Sequence, residues 1–401
     1  MQNAKFPRFE TTMWGDVAVD VETRSLILQP VAPDTNSSIV LEVENLAGTT
    51  TASINGNGDI IAKTITTGAT TNVRTGTNNN VLGGNTNSVS ASNSLIGGGN
   101  TNTISSSGTD NVILNGQQGS IGTTCFRSMI GTGFLNALTA NTCANCAIVS
   151  GTSNSIIGGV TDSSCIATGT SNVINGTDNA FIGGGSTNSM TNNSLCFIGG
   201  GYNNQTTALA ATICGGSDNK CNGLEYCSIM GGVANTASGK YSSVLGGANA
   251  VANQWGQAAW AGGNAFAVVG DSQVSRFTLR NLAITNIGYI MYLDYPQSTT
   301  NEISMGNTSW GILDLNLVCV RLLSNTISTY KNSYWYTTNS GAPGANIGSM
   351  ALGGLFDNGT ASMTAPTLAI ISNNIIRITA NVSTTADCEL FAYVTITHYS
   401  R

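Results

Sequence analysis

Charged side chains are scarce in this sequence. Asp, Glu, Lys and Arg together make up 8% of the 401 residues, and only 6 residues are proline. A disordered chain carries more charge and fewer apolar residues than this one, in which 41% of residues are hydrophobic. Collagen is excluded because the 49 glycines follow no Gly-X-Y period. The abundance of Gly, Asn, Ser and Thr instead predicts short β-strands joined by tight turns.

Basic residues are also rare, which restricts the possible partners. The net charge is −6, and within residues 78–270 the only basic residues are Arg127, Lys220 and Lys240. We expect no nucleic-acid partner, because no basic stripe could follow a phosphate backbone. We also expect no membrane insertion, since no run approaches the ~20 apolar residues of a membrane span. Residues 1–10 lack the apolar core of a signal peptide.

Residues that carry catalysis or bind metals are few. The single histidine, His398, lies near the C-terminus, and no HExxH, GxSxG or P-loop motif occurs. One CxxC is present, Cys143-Ala-Asn-Cys146, without the second pair that a zinc site needs. We interpret the ten cysteines as small buried residues with free thiols, a stack of disulfides being the alternative. We expect no metal, no cofactor and no catalytic residue, and therefore a protein that is not an enzyme.

A short repeat dominates the middle of the chain. The glycines at positions 183, 199, 215, 231 and 246 are spaced by 16, 16, 16 and 15 residues, and half-period copies such as Val173-Ile174-Asn175-Gly176 lie between them. This period predicts a β-solenoid, in which two short strands and two turns make one coil and coils stack at ~4.8 Å. The repeated motif is an apolar pair followed by glycines: Val81-Leu82-Gly83-Gly84, Leu95-Ile96-Gly97-Gly98, Ile156-Ile157-Gly158-Gly159, Phe181-Ile182-Gly183-Gly184, Phe197-Ile198-Gly199-Gly200, Ile213-Cys214-Gly215-Gly216, Ile229-Met230-Gly231-Gly232 and Val244-Leu245-Gly246-Gly247.

The corners and the core of such a coil set two further expectations. Glycine adopts positive φ, and Asn tolerates the left-handed conformation, so we expect corners at stretches such as Asn78-Asn79-Asn80. One coil offers only two or three inward apolar side chains, too few to close a core. We therefore expect three chains to share one core in a homotrimer.

The composition changes on both sides of the repeat, which predicts three domains: 1–76, 77–270 and 271–401. In the first, Phe6, Phe9 and Trp14 are candidates for attachment to a larger assembly, with a capping segment as the alternative. Strands are predicted there at Leu26–Leu28, Ile39–Val43 and Ile60–Ala62.

The third domain lacks the repeat and contains longer alternating segments. These predict strands at Ile312–Val320, Ile375–Val382 and Leu390–Thr397, and together a β-sandwich, jelly-roll-like head. Its aromatic residues are candidates for receptor contact, with a core position as the alternative. They are Trp310, Tyr330, Tyr334, Trp335 and Tyr336.

The motifs resemble two known families. The signature Ser228-Ile229-Met230-Gly231-Gly232 is similar to the left-handed β-roll heads of trimeric autotransporter adhesins, and the stretch 231–247 resembles the repeats of viral and phage tail fibres. The junction at 270–280 looks like the start of a phage fibre head, and residues 43–60 resemble fibre-shaft segments. We find no coiled-coil stalk of the kind that autotransporters carry, so the fibre resemblance is favoured.

The fibre resemblance implies a structural virion protein, a homotrimer that projects from a tail or capsid and attaches to the host cell through its distal head. It implies assembly in the host cytoplasm, a final place on the virion surface, and N-terminal contact with other virion structural proteins. The receptor would be a host-surface glycan or protein. A fragment of a bacterial surface trimeric adhesin is the alternative, and an ice-binding surface ranks last because Thr64-Ile65-Thr66 does not recur with the coil.

An enzymatic alternative remains, a fibre-borne polysaccharide depolymerase that cuts glycans with paired carboxylates. Asp162 and Asp178 are one coil apart, so they could stack about 5 Å from each other, a spacing compatible with a retaining glycosidase. Asp218 and Glu225 lie half a coil apart and are expected on different faces. Asp110 completes the candidates, and solvated turn residues are the alternative for all of them.

Overall fold

A computed structural model describes these residues: 39–44, 50–55, 60–62, 72–105, 107–139, 142–223, 225–263, 272–283, 288–294, 301–305, 309–321, 327–338, 346–349, 354–357, 363–371, 375–382 and 388–400. The chain divides into two compact units, residues 1–64 and residues 65–401. Every regular element in these described ranges is a β-strand, so the prediction of an all-β chain is confirmed. The same ranges contain no helix long and apolar enough to cross a membrane.

The first unit contains one small antiparallel sheet. Its strands are β1 (Ile39–Glu44), β2 (Thr50–Asn55) and β3 (Ile60–Ala62), hydrogen-bonded in that order. The predicted strands at Ile39–Val43 and Ile60–Ala62 are confirmed. The predicted strand at Leu26–Leu28 lies outside the described residues.

The second unit begins with a parallel β-solenoid of two strand ladders, which confirms the prediction from the glycine spacing. The first ladder is a 12-stranded sheet, so the solenoid has about twelve coils. Its strands are β4 (Val73–Arg74), β6 (Ser88–Val89), β8 (Thr103–Ile104), β10 (Ser120–Ile121), β13 (Ala137–Leu138), β16 (Ser155–Ile157), β19 (Val173–Asn175), β21 (Ser189–Thr191), β23 (Gln205–Thr206), β25 (Lys220–Cys221), β27 (Thr236–Ala237) and β29 (Val251–Ala252).

The second ladder alternates with the first along the chain. Its strands are β5 (Asn80–Val81), β7 (Leu95–Ile96), β9 (Val112–Ile113), β12 (Met129–Ile130), β15 (Ala147–Ile148), β18 (Cys165–Ile166), β20 (Phe181–Ile182), β22 (Phe197–Ile198), β24 (Thr212–Ile213), β26 (Ser228–Ile229), β28 (Ser243–Ala248) and β30 (Ala258–Gly262). Three further strands form a short sheet between the two ladders: β11 (Cys125–Phe126), β14 (Thr142–Ala144) and β17 (Val160–Asp162).

The second residue of nearly every ladder strand points inward, and these residues stack into columns of aliphatic side chains. In the second ladder the column runs through Ile166, Ile182 and Ile198, which are paired in register and fully buried. Burying one such side chain contributes about 1.5–3 kcal/mol. A single coil would leave its inward side chains open to solvent above and below. The neighbouring coils cover them, so adjacent coils stabilise one another.

The register corrects the alignment of the first two copies of the motif, which matches Val81 with Leu95 and Gly83 with Gly97. Val81 pairs with Ile96, so the inward β-branched residues set the register and Gly83 matches Gly98 rather than Gly97. One coil takes 15 residues between these partners and 18 between Ile148 and Ile166. The half-period copy Val173-Ile174-Asn175-Gly176 lies in the first ladder. The motif copy at Ile156 also lies there, paired with Ile174, whereas the other copies of the motif lie in the second ladder.

A column of buried asparagines closes one internal corner of the coils. Asn172 accepts a hydrogen bond at Oδ1 from the backbone N–H of Asn188 (3.0 Å), and Asn188 does the same for Asn204 (3.0 Å). Each Nδ2 donates to glycine or threonine carbonyls of its own and the next coil. The ladder consists of Asn72, Asn87, Asn102, Asn136, Asn154, Asn172, Asn188, Asn204, Asn219 and Asn235. The left-handed asparagines expected at corners also exist, at Asn78 among others.

These buried corners remove the reason given for a shared trimeric core. Inward residues from Val81 to Ala259 are buried within the single chain, because Asn, Ser, Cys and Ala side chains fill the corners beside the aliphatic columns. The sequence argument counted only strand residues and so underestimated the interior. The trimer itself stays a prediction.

The C-terminal part of the second unit continues the second ladder with antiparallel strands. These strands are β31 (Ser272–Ala283), β32 (Gly288–Ile290), β33 (Ile303–Ser304), β34 (Ser309–Arg321), β35 (Ile327–Thr337), β36 (Asn346–Ser349), β37 (Gly354–Asp357), β38 (Met363–Ile371), β39 (Ile375–Val382) and β40 (Cys388–Ser400). Strand β31 pairs with β30, and β40 lies between β31 and β34. Strand β35 pairs with β34 and also with β36 and β37. A second sheet joins β32, β33 and β38 to β39.

Both sheets contribute to one hydrophobic cluster. Phe277, Leu313 and Leu390 come from the first sheet, and Ile376 and Ile378 come from β39. The three strands predicted from alternation coincide with β34, β39 and β40 and are confirmed.

Candidate functional site

One edge of the solenoid displays side chains at fixed positions of consecutive coils. Backbone hydrogen bonds align these coils: Ala210 N–H donates to Ser194 O (2.9 Å), Tyr226 N–H to Leu209 O (2.9 Å) and Tyr241 N–H to Glu225 O (3.1 Å). We call this edge the corner column. It has two parallel rows, Asp162, Asp178, Ser194, Leu209, Glu225, Lys240 and Trp255 in one, and Ser163, Asn179, Leu195, Ala210, Tyr226, Tyr241 and Gly256 in the other.

Residues of the second row share one backbone conformation. Tyr226 and Tyr241 have φ of 59° and 58°, and Leu195 and Ala210 have φ of 59° and 52°. Such left-handed residues are uncommon outside glycine, asparagine and aspartate. The ladder hydrogen bonds on both sides maintain this turn, so each side chain projects outward at the same angle as its neighbour one coil away.

The aromatic part of the corner column forms a stack. The rings of Tyr226 and Tyr241 lie 5.2 Å apart between centroids and are nearly parallel at 6°. Trp255 approaches Tyr241 edge-on, with centroids 5.0 Å apart. Tyr226 and Tyr241 are nevertheless 48% and 47% exposed, so the stack offers apolar rings to a ligand at the surface.

A charge pair accompanies the stack. Lys240 Nζ lies 3.0 Å from Glu225 Oε2 and 5.4 Å from the ring centroids of both Tyr241 and Trp255. The hydrogen bond to Glu225 raises the pKa of Lys240, which therefore stays cationic at neutral pH. The pair leaves the aromatic stack with little net charge and with carboxylate oxygens able to accept further hydrogen bonds.

The two stacked aspartates lie in the same column, several coils away. Asp178 Oδ1 accepts the backbone N–H of Asp162 at 2.9 Å, and Asp162 Oδ1 accepts the N–H of Ala144 at 3.0 Å. The predicted stacking of Asp162 and Asp178 on one face is confirmed. Each carboxylate stabilises the turn of a neighbouring coil with one oxygen and keeps a second oxygen for other partners.

The remaining carboxylate candidates lie apart from this pair. Asp218 occupies the opposite corner of the coil from Glu225, as the half-coil spacing predicted. Hydrogen bonds from Ser217 (2.6 Å) and Asn203 (2.7 Å) lower the pKa of Asp218. Asp110 adopts the left-handed conformation near the N-terminal end of the column, with φ of 60°.

The predicted receptor aromatics are divided between surface and interior. Trp310 and Trp335 are 48% and 44% exposed on adjacent strands β34 and β35. Tyr334 and Tyr336 are 7% and 1% exposed, and burial raises the pKa of both phenols. Tyr330 packs against the same core, with its hydroxyl 3.0 Å from that of Tyr334. The attachment candidates Phe6, Phe9 and Trp14 lie outside the described residues.

The CxxC cysteines form part of the solenoid wall. Cys143 and Cys146 are buried, and Cys146 Sγ donates to the carbonyl of Thr161 at 3.0 Å. The ten cysteines have free thiols. In the part of the chain that the structure describes, no group of three or more His, Cys, Asp and Glu side chains could hold a metal ion.

Among known proteins, the chain is similar to three bacteriophage proteins of solved structure. No protein family and no curated protein matches the sequence. Among solved structures, the chain is similar to the tailspike protein of Acinetobacter baumannii phage AM24, with 10% identity, a TM-score of 0.26 and coverage of 92% of this chain and 87% of that chain. For the tailspike of Acinetobacter phage vB_ApiP_P1 the values are 12%, 0.19, 83% and 81%. At such TM-scores the likeness carries no argument about the fold, which rests on the hydrogen bonds above.

The third match bears on the expectation that the chain is not an enzyme. It is the tailspike of Acinetobacter baumannii bacteriophage Fri1, described as a capsular polysaccharide depolymerase, with 6% identity, a TM-score of 0.20 and coverage of 75% of this chain and 80% of that chain. The expectation that this chain is not an enzyme is withdrawn, because its grounds do not cover this class of enzyme. The expectation was based on a missing histidine base and missing nucleophile motifs, but glycan cleavage by two carboxylates requires neither.

Proposed function

We propose that this chain is a tailspike-like protein of a phage particle and binds a polysaccharide on the surface of the bacterial host. The observation that carries the proposal is the corner column, where exposed aromatic rings and carboxylates follow one edge of a rigid, weakly charged shaft. Aromatic rings present broad apolar faces to sugar rings, and carboxylates accept hydrogen bonds from hydroxyl groups. A row with one repeat per coil suits a ligand that is itself a chain of repeated units.

Cleavage of the bound polysaccharide is a second candidate function. It is favoured by Asp162 and Asp178, whose positions one coil apart correspond to about 4.8 Å. Retaining glycosidases place their two carboxyl groups about 5–5.5 Å apart, with one as nucleophile and the other as acid and base. In this proposal the corner column supplies both the binding row and the reacting pair.

One experiment tests both functions. Purified Acinetobacter capsular polysaccharides are incubated with the full chain, and binding and newly formed reducing ends are measured. We expect binding by the wild type and loss of cleavage in Asp162→Asn and Asp178→Asn. Asp218→Asn is the matched control, because that carboxylate lies on the opposite corner. Absence of binding to every polysaccharide contradicts the main proposal, and unchanged cleavage in both variants contradicts the role of the pair.

The remaining parts of the proposal follow the order of the chain. Residues 1–76 attach the protein to other virion structural proteins, with Phe6, Phe9 and Trp14 as contacts. Residues 77–270 form the shaft, and residues 271–401 form a β-sandwich head at the virion surface. The exposed Trp310 and Trp335 are the head residues proposed to contact a receptor.

A homotrimer is also part of the proposal, now for a different reason. The outward face of the second ladder is apolar, with exposed Leu114, Phe197, Met230 and Leu245. At the outward positions of its described strands no charged residue occurs, and apolar residues outnumber the polar ones, which are Asn80, Thr212, Ser228 and Ser243. The first ladder presents more Ser, Thr and Gln there, together with Lys220. Twelve coils at ~4.8 Å give a strip about 58 Å long and about 10 Å wide. A second copy of the chain fits this strip, because its side chains recur at the same spacing.

Light scattering of the full chain tests the trimer. We expect a mass of three times 41.1 kDa and expect Met230→Lys to lower it. Ser189→Lys, on the outward face of the first ladder, is the matched control and should leave the mass unchanged. A wild-type mass of 41.1 kDa overturns the trimer, and so does a dimer mass.

A further inference from the structure

The corner column is interrupted next to its aromatic stack. Leu195, Ala210 and Tyr226 occupy the same position in three consecutive coils, as their backbone hydrogen bonds to the preceding coils show. Ala210 has no side chain beyond Cβ, so nothing of that residue fills the space between the two larger neighbours. Two coil steps separate Leu195 from Tyr226, which amounts to about 9.6 Å.

The ring of Tyr226 borders this gap. One of its faces is covered by Tyr241, which in turn makes an edge contact with Trp255. The ring faces are stacked along the shaft axis, so the second face of Tyr226 is directed to the coil of Ala210. Both Tyr226 and Leu195 are exposed, at 48% and 61%. The gap is therefore open to solvent at the side and has an aromatic wall, an aliphatic wall and a small floor.

A charge pair lies beside the aromatic stack that borders the gap. Glu225 precedes Tyr226 in the same coil, and its carboxylate contacts Lys240 at 3.0 Å. Lys240 belongs to the coil of Tyr241, on the side of Tyr226 away from Ala210. The charges of Glu225 and Lys240 offset each other there, so a ligand in the gap meets the aromatic face beside a region of little net charge.

From this arrangement we infer that the gap over Ala210 is a subsite for one uncharged pyranose unit, which stacks its apolar C–H face on Tyr226. The inference rests on the proposed polysaccharide binding and places its tightest contact on the side of the shaft. A sugar ring continues the stack of Tyr226, Tyr241 and Trp255 by one layer, where the chain itself supplies only a methyl group. The polymer then follows the corner column toward Asp178 and Asp162.

Filling the gap gives the sharpest test. Ala210→Tyr places a ring of the protein where the sugar would stack, and the stack of Tyr226 and Tyr241 shows that consecutive coils accept tyrosines at this position. Tyr226→Ala removes the wall instead. Tyr202→Ala is the matched control, because Tyr202 is 56% exposed on the opposite corner.

The assay is calorimetric titration of the full chain with oligosaccharide fragments of purified Acinetobacter capsular polysaccharide. We expect Ala210→Tyr and Tyr226→Ala each to weaken binding about tenfold or more, and Tyr202→Ala to bind like wild type. Binding by wild type with unchanged affinity in both gap variants overturns the subsite and leaves the proposed function standing. Failure of the wild type to bind any fragment or its parent polysaccharide overturns the proposed function itself. Circular dichroism of each variant confirms that the solenoid has formed.

Discussion

Replacing Asn172 by Ala probes the buried asparagine ladder. Asn172 is fully buried, and its Oδ1 accepts the backbone N–H of Asn188 at 3.0 Å. Its Nδ2 donates to Thr168 O at 3.2 Å and to Gly185 O at 3.0 Å. Alanine removes these bonds and leaves the N–H of Asn188 in the interior without that acceptor. A buried polar group left without a partner costs ~1–3 kcal/mol, so with the other lost bonds we expect a destabilisation of about 2–4 kcal/mol.

The assay is guanidinium unfolding of the full chain, together with hydrogen exchange of the coils on either side of Asn172. Because each coil contacts its neighbours, we expect faster exchange at the Asn188 amide and in adjacent coils before distant coils respond. Asn222→Ala is the control, since that side chain is exposed and such substitutions usually change stability by no more than ~0.5 kcal/mol. Equal effects of Asn172→Ala and Asn222→Ala would refute the structural role of the ladder.

Three further predictions concern packing and chemistry in the shaft. Gly201→Ala should destabilise the chain more than Gly215→Ala in the same unfolding assay, because Gly201 has φ of 97° and an added Cβ would overlap the next coil's backbone, whereas a Cβ on Gly215 would meet only Gly200 O, at 4.0 Å. Ile198→Ala should cost about 2–5 kcal/mol through the cavity it leaves, and a loss below 1 kcal/mol would contradict the closed core. In the native chain iodoacetamide should modify the exposed Cys214 before Cys165, as mass spectrometry would show. Burial raises the pKa of Cys165, so its slower reaction should accelerate as the pH rises. Equal rates at both cysteines would contradict this order.

The solenoid could be predicted because each residue type that marks its period has one structural role. Glycines near Gly183 and Gly199 mark corners, and β-branched residues such as Ile182 mark the inward column. The asparagine ladder was missed although its signal is present: Asn172 and Asn188 each stand two residues before the inward residue of a first-ladder strand. The sequence interpretation gave Asn only a role in turns. It therefore missed that buried Asn side chains fill a corner of each coil, which lets one chain close its own core.

The candidate site was only partly accessible from sequence. The spacing of Asp162 and Asp178 sufficed to place them on one face. Tyr226, Tyr241 and Trp255 also recur at about one coil, a signal that is present in the sequence, whereas the predicted receptor contacts were aromatic residues of the C-terminal region. Alternation alone could have divided that region, because Trp335 lies between Tyr334 and Tyr336 and only alternate residues of a strand face the core. The gap over Ala210 required the register, since it depends on which residues stand one coil away.

Polysaccharide binding is tested most directly by adsorption of the labelled full chain to a panel of encapsulated bacterial strains, Acinetobacter included, and to otherwise identical cells that lack the capsule. Binding is measured by flow cytometry at equal protein concentration. We expect saturable binding to at least one encapsulated strain, competition by its purified polysaccharide, and little binding to the capsule-deficient cells. Equal binding to both kinds of cell would contradict a polysaccharide receptor.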